Sequence, residues 1–131
     1  MKYLKIVLSV VVLLCICSAA TLKKSSKAVY VFGVSASFTD TTIYYTEVQL
    51  LDSVSLDKNG FLPHRDSYSY QLKNYLEGEK GLSNRTCMIY FSEDKKTLDK
   101  EFVKITDRYK RDKSVSTLLV EPKLFSFKKQ E

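Results

Sequence analysis

The chain has 131 residues, a formal net charge of +6 and three cysteines. This length accommodates one hydrophobic core and is too short for two domains. The positive charge is low for a nucleic-acid-binding domain, in which basic residues gather on one face, so we expect no nucleic-acid partner.

The first twenty residues have the composition of an export signal. A short basic leader precedes the hydrophobic run from Ile6 to Ile16, which is shorter than the roughly 20 residues that a membrane helix needs. Small residues end the segment at Ala20, which predicts cleavage there and an exported protein, periplasmic or extracellular. The alternatives are retention as a membrane anchor and lipidation at Cys15 or Cys17.

Cleavage at that point would leave one domain behind a polar tether. Loss of Lys2 and Lys5 would reduce the basic residues from 21 to 19, against 15 acidic ones, so the net charge would be +4. Residues 21–27 are rich in lysine and serine and predict a flexible tether, after which the domain begins at Ala28. Cys87 would be the one remaining cysteine, so we expect no disulfide. Its apolar neighbours predict a buried thiol rather than a nucleophile.

The first half of the domain predicts an antiparallel hairpin. Val29 to Val34 is β-branched and aromatic on both alternating faces, which is typical of a central strand. Ile43 to Leu50 predicts the second arm, with odd-numbered residues on one side and even-numbered residues on the other, and residues 54–56 could extend it. Asp57 to Gly60 is the strongest turn signal in the chain.

Two amphipathic helices are predicted after the hairpin, each with its apolar residues in one stripe. We expect Asp66 or Ser67 to cap the first helix and Ser92 to cap the second. The segment from Glu77 to Gly81 should end the first helix, because its glycines permit a left-handed backbone. The stripes are Tyr68, Leu72, Tyr75 and Leu76 in the first helix and Leu98, Phe102, Ile105 and Tyr109 in the second.

Two further strands flank the second helix. The apolar run from Thr86 to Phe91 predicts a central strand, and a last strand begins at Thr117. Pro122 cannot donate a ladder hydrogen bond, which places the last strand at an edge or a bulge.

The predicted order ββαβαβ indicates an α+β fold. We expect a two-layer domain with a four- or five-stranded mixed or antiparallel sheet and two helices packed on one face. This single domain spans residues 28–127 and is followed by a polar tail, residues 128–131.

Known catalytic, metal-binding and cofactor-binding motifs are absent from the sequence. His64 is the single histidine and has no second ligand at metal-binding spacing, and the four glycines form no phosphate-binding loop. We therefore expect no metal and no cofactor. The run from His64 to Ser67 offers a base, a cation, an acid and a hydroxyl, so a small hydrolase is an alternative. Helix capping explains the same residues.

The second predicted helix carries a ridge of like charges that recur every fourth residue. Such a ridge could bind an anionic membrane surface or a cell-wall polymer. Partial neutralisation by Asp99 and Asp107 is the alternative interpretation. The residues of this basic ridge are Lys96, Lys100, Lys104 and Arg108.

The hairpin and the first helix together carry more aromatic residues than one small core can bury. Exposed tyrosines often mark recognition surfaces for proteins or sugars, so Tyr44 and Tyr45 are candidate binding residues. Filling of the core is the alternative interpretation for most of this set, and the sequence does not separate its buried members from its exposed ones. The whole set is Phe38, Tyr44, Tyr45, Tyr68 and Tyr70.

Residues 31–38, 68–76 and 84–87 resemble the corresponding segments of small exported proteins of unknown function from Bacteroides-type bacteria. This resemblance implies an exported single-domain protein and assigns no functional residue. The C-terminal strand, helix and strand also resemble one half of a SPOR-type glycan-binding domain, whereas the N-terminal half has a hairpin in place of the matching unit.

Together these features predict a non-catalytic binding or assembly module of the bacterial cell envelope. Its partner would be an unknown protein or a cell-envelope polymer. The alternatives are a small hydrolase that uses residues around His64, and a structural subunit that adds its edge strand near Pro122 to a partner.

Overall fold

The computed structural model describes residues 28–130, which form five strands and two α-helices. A π-helical turn, Tyr75–Glu79, continues the first helix. This arrangement confirms the predicted α+β class and the mixed sheet. The strands are β1 (Ala28–Ser37), β2 (Thr42–Thr46), β3 (Gln49–Asp52), β4 (Arg85–Ser92) and β5 (Ser116–Val120), and the helices are α1 (Arg65–Asn74) and α2 (Lys95–Arg111).

β1 is the central strand of the sheet, as predicted. β4 pairs with one side of β1, and β2 and β3 pair with the other side, all antiparallel. β5 adds parallel to β2, so β4 forms one rim of the sheet and β3 and β5 lie along the other among residues 28–130. The edge position expected from Pro122 is therefore confirmed. The central position expected for Thr86 to Phe91 is wrong, because β4 pairs with β1 alone.

A β-bulge divides the second arm of the hairpin into β2 and β3. Val34 lies opposite Tyr45, but Val31 lies opposite Gln49, so the second arm holds one extra residue between these pairs. After the extra residue, each side chain points to the face of the sheet opposite to the one that regular alternation would give. The expectation that side chains alternate without interruption from Ile43 to Leu50 is therefore wrong. The expected extension of this arm through residues 54–56 is also wrong, because these residues form no strand.

Gly33 lies at this bulge and has two roles there. Its N–H donates to Oγ1 of Thr46 at 2.9 Å, so the side chain of Thr46 satisfies this buried donor at the irregular position. A Cβ atom on Gly33 would lie 2.7 Å from Cδ2 of Leu72 and 3.1 Å from Cζ of Phe127. Glycine therefore allows α1 to approach the sheet closely.

The two helices cover opposite faces of the sheet, which corrects the expectation that both pack on one face. Val29 and Val31 of β1 are buried in the cluster that includes the α1 stripe. Phe32 and Val34 point the other way and are buried with the α2 residues Leu98 and Ile105. Because β1 is apolar at odd and even positions, each face needs its own cover.

The predicted stripes are confirmed, but the predicted caps are wrong. The N-cap of α1 is His64, which has a left-handed backbone (φ 61°) and makes no side-chain capping bond. The N-cap of α2 is Asp94, whose carboxylate accepts from the N–H of Lys96. Ser92 instead accepts from the N–H of Asp94 at 3.0 Å, one step before the helix.

The C-terminal segment crosses the α1 face after β5 ends at Val120. Phe125 and Phe127 pack against the α1 cluster without forming a strand. The amide of Gln71 exchanges two 2.8 Å hydrogen bonds with the backbone of Lys128, which ties the polar tail to α1.

Candidate functional site

The basic ridge lies together on the solvent side of α2, where Lys96, Lys100, Lys104 and Arg108 are all exposed. Among residues 28–130, none of the four takes part in an ion pair. Asp99, which could have neutralised the ridge, instead binds Nζ of Lys95 at 2.8 Å.

Tyr44 and Tyr45 are adjacent in β2 and therefore project to opposite faces of the sheet. The ring of Tyr44 packs beneath the guanidinium of Arg85, with 4.9 Å between Cζ of Arg85 and the ring centroid. The ring of Tyr45 packs against Phe102, with 5.9 Å between centroids. The structure thus does not bring these two candidate binding residues together, and both are half-buried.

His64 and its neighbours form no catalytic arrangement. His64, Arg65 and Asp66 are exposed, and Ser67 is half-buried at the start of α1. Within residues 28–130, the side chain of His64 makes no hydrogen bond to Asp66 or Ser67. Nothing in the described part of the chain therefore indicates an enzyme.

Arg85 is the residue that sequence reasoning missed. It is 1 % exposed, and all three nitrogens of its guanidinium donate, in five hydrogen bonds. The carboxylate of Asp40 accepts two of these bonds at 3.0 Å. Ser35 accepts two more, through its Oγ at 3.0 Å and its carbonyl at 2.9 Å, and the carbonyl of Thr42 accepts the fifth at 2.9 Å. Arg85 therefore ties the start of β4 to β1, to β2 and to the hairpin turn, as a structural clamp.

The partner carboxylate reaches solvent, since the side chain of Asp40 is 37 % exposed. A hydrogen bond from the N–H of Thr42, assisted by the guanidinium of Arg85, lowers the pKa of the Asp40 carboxyl. Every nitrogen of the Arg85 guanidinium is bonded within the fold and its charge is balanced by Asp40, which indicates a structural role for this cluster.

The outer rim of β4 presents unpaired backbone groups. The N–H of Gly33 points to β2. The backbone N–H and C=O groups of odd-numbered residues of β1 therefore point to β2 and β3, and those of even-numbered residues point to β4. In the register of the β1–β4 pair, the N–H and C=O groups of Arg85, Cys87, Ile89 and Phe91 consequently point away from the sheet.

Side chains of the α1 region occupy only one end of this rim. Glu77 accepts from the N–H of Arg85 at 3.0 Å, and the hydroxyl of Ser69 donates to the carbonyl of Cys87 at 2.8 Å. Within residues 28–130, no segment hydrogen-bonds to the outward groups of Ile89 and Phe91. Within these residues, the free outward groups of β4 are therefore the N–H of Cys87 and the N–H and C=O groups of Ile89 and Phe91.

A groove of about 380 Å³ lies along this part of the rim. Four consecutive residues of β4, Cys87 to Tyr90, line it, although successive side chains of a strand project to opposite faces. Only the edge of the sheet can present all four to one groove. The opposite wall is the first turns of α1, from Arg65, Asp66 and Ser69.

The thiol in this groove is not activated for reaction. Cys87 is half-buried, and burial raises the pKa of its thiol, which disfavours the thiolate that a nucleophile requires. The expectation of a buried thiol is corrected to a half-buried one that packs against the α1 cluster.

A larger groove of about 580 Å³ separates the end of α1 from the C-terminal segment. Its polar wall includes Gln71, whose amide is already used to hold Lys128. Tyr75 and Phe125 pack against each other there, with 5.2 Å between their centroids. These side chains hold the C-terminal segment in place, so the rim of β4 is the better candidate for a binding site.

Residues 28–130 contain no group of three or more histidine, cysteine, aspartate or glutamate residues arranged to hold a metal ion. In the same range, the helices are too short or too polar to cross a bilayer. Comparison with known proteins finds no matching family model, no matching curated protein and no matching solved structure.

Proposed function

We propose that this protein is a small, non-catalytic binding or assembly module of the bacterial cell envelope, which joins its partner by strand addition at the rim of β4. The free N–H and C=O groups of Ile89 and Phe91, in a groove that α1 walls on one side, carry this proposal. An extended segment that pairs with a sheet edge gains affinity from main-chain hydrogen bonds and specificity from side-chain pockets.

The composition of β4 supports this role. Natural sheets protect exposed edges with charges, prolines, bulges or short strands. β4 has eight residues, pairs with β1 without a bulge, and has neither proline nor a charged side chain after Arg85, which is turned inward. Such an edge would be an aggregation hazard unless another strand covers it.

The rim at β5 is a weaker candidate for strand addition, although Leu118 is 52 % exposed there. β5 has five residues, and Pro122 follows shortly after it. A short strand and a nearby proline are two of the devices that block edge pairing. The proposed site therefore moves from the Pro122 edge to the opposite rim of the sheet.

Two lysine substitutions distinguish the rims. Met88→Lys places a charge on β4 where the side chain is already 42 % exposed, and Leu118→Lys is the matched change on β5. Affinity-tagged wild-type and variant chains, produced in the source cell, are compared for co-purified protein and for amide hydrogen exchange at Ile89 and Phe91. We expect Met88→Lys to abolish both the bound partner and the exchange protection, and Leu118→Lys to preserve both. Equal retention by the two variants would contradict strand addition at β4.

Binding of an anionic surface by the basic ridge is a second candidate, because its four side chains are exposed and unpaired within the described residues. The double charge reversal Lys100→Glu/Lys104→Glu tests it. We expect the wild-type chain to co-sediment with anionic vesicles or cell-wall fragments and the variant to remain in the supernatant. Equal sedimentation of the two would reject this candidate.

A further inference from the structure

We infer that the strand added to the rim of β4 is the β4 of a second copy of this chain, paired antiparallel about a two-fold axis through Ile89. This inference rests on the proposed function of the rim. The resulting assembly would be a closed dimer with one continuous sheet running through both subunits.

The free backbone groups select this register. With the axis at Ile89, this residue exchanges both of its outward hydrogen bonds with the partner's Ile89, and Cys87 pairs with the partner's Phe91. A shift toward Arg85 would require an N–H that Glu77 already occupies. A shift the other way would leave the outward N–H of Cys87 unpaired. The carbonyl of Cys87 already accepts from Ser69, but its second lone pair can accept from the N–H of the partner's Phe91. The register about Ile89 is thus the one that pairs all the free groups.

The side chains around the axis are compatible with their own copies. From Thr86 to Ser92, β4 carries no charge, so self-pairing brings no like charges together in the strand. On the α2 face, exposed Met88 would lie opposite the partner's Tyr90, and a thioether beside an aromatic ring is a favourable contact. The start of α1 forms the wall of the groove in each subunit and carries one cation, Arg65, and one anion, Asp66. The two walls can therefore meet with opposite charges facing each other.

Among residues 28–130, β4 is the one long strand with an unprotected edge, which explains why the assembly would stop at two. A contact between identical surfaces related by a two-fold axis closes on itself, whereas pairing of two different edges would continue into a fibre. On the opposite rim, β3 has four residues, and β5 has five and is followed by Pro122, so the dimer would offer no equivalent edge for further growth.

Sedimentation equilibrium of the full chain measures the number of subunits. We expect twice the mass of one chain for the wild type and for Leu118→Lys, and the mass of one chain for Met88→Lys. Charge exchange at the groove wall provides a second measurement. Arg65→Asp should weaken the dimer at least tenfold, and Arg65→Asp/Asp66→Arg should restore it, because each wall again contributes one cation and one anion.

A cysteine placed on the axis tests the register. In a chain whose cysteines 15, 17 and 87 are replaced by serine, Ile89→Cys should form a disulfide-linked dimer on mild oxidation, since directly opposed residues have Cα atoms about 5.5 Å apart. Phe91→Cys is the control and should remain unlinked. Linkage at Phe91→Cys but not at Ile89→Cys would overturn the proposed register.

The outcomes separate this inference from the proposed function. A wild-type chain that sediments as a monomer, yet retains a different partner that Met88→Lys loses, would overturn the dimer and leave strand addition at β4 standing. A monomer with no partner sensitive to Met88→Lys would overturn both. A dimer that Met88→Lys leaves intact would contradict pairing through this rim.

Discussion

Replacement of Arg85 by methionine tests the clamp that holds the hairpin to β4. Methionine keeps an unbranched apolar stem but removes all five donated hydrogen bonds. Asp40 regains water because its side chain is 37 % exposed, so loss of this ion pair adds little to the cost. The carbonyls of Ser35 and Thr42 lose donors in a covered site, at about 1 to 3 kcal/mol for each unsatisfied group.

We therefore expect Arg85→Met to lower the free energy of unfolding by about 2 to 4 kcal/mol, against a total of about 5 to 15 kcal/mol for a domain of this kind. Urea denaturation followed by far-UV circular dichroism measures this loss. Arg108→Met is the control at an exposed position and should change stability by less than about 0.5 kcal/mol. Arg85→Lys keeps the charge but loses the planar fork, so it should recover only part of the stability. A cost below about 1 kcal/mol for Arg85→Met would refute the role of the clamp.

Three further changes have predictable effects. Because the pKa of the Asp40 carboxyl is lowered in the folded protein, its carboxylate stabilises the fold at pH values above the unfolded pKa of about 3.9. This stabilisation is lost as the pH falls through the lower folded pKa. Asp40→Asn should therefore flatten the acid limb of a curve of unfolding free energy against pH. Gly33→Ala should cost about 1 to 3 kcal/mol in thermal or urea unfolding, because its Cβ would overlap buried Leu72, whereas Gly78→Ala, with open space around it, should be neutral or stabilising. Asp94→Ala removes the N-cap of α2 and should lower the free energy of unfolding by about 1 kcal/mol, with no such loss for Asp94→Ser.

The parts of the fold that were predictable from the sequence depend on local patterns. The stripe of α2, with Leu98 and Ile105 buried, follows from helical periodicity. The turn at Asp57 follows from residue types that favour it, and the Asp57 carboxylate accepts from the N–H groups of Asn59 and Phe61 at 2.8 and 3.0 Å. These features require interactions between residues only a few positions apart.

The errors concern features that local sequence patterns leave undecided. Asp94 rather than Ser92 caps α2, since the two are alternative acceptors within three residues and the exact start of the helix decides between them. The bulge after Thr46 carries no distinctive motif and is set by how β1 pairs with both halves of the second arm.

The candidate site was less accessible to sequence analysis than the fold. The partners of Arg85 lie 43 to 50 positions away in the chain, and no local pattern indicates them. A single arginine at the head of an apolar run was the one available sign, because a buried cation needs a dedicated set of acceptors. The free edge of β4 depends on the order of strands in the sheet, which sequence periodicity does not determine.

The wrong prediction for β4 itself bears on what this strand does. Its apolar and aromatic residues without internal charge predict a strand with neighbours on both sides, and yet β1 is its one neighbour within residues 28–130. β5, in contrast, is an edge strand with the short length and the nearby proline of an edge. If a second strand pairs with Ile89 and Phe91 in the assembled protein, β4 becomes a central strand, and its composition then agrees with its position. Pairing with a second copy thus reconciles the sequence of β4 with its place in the single chain.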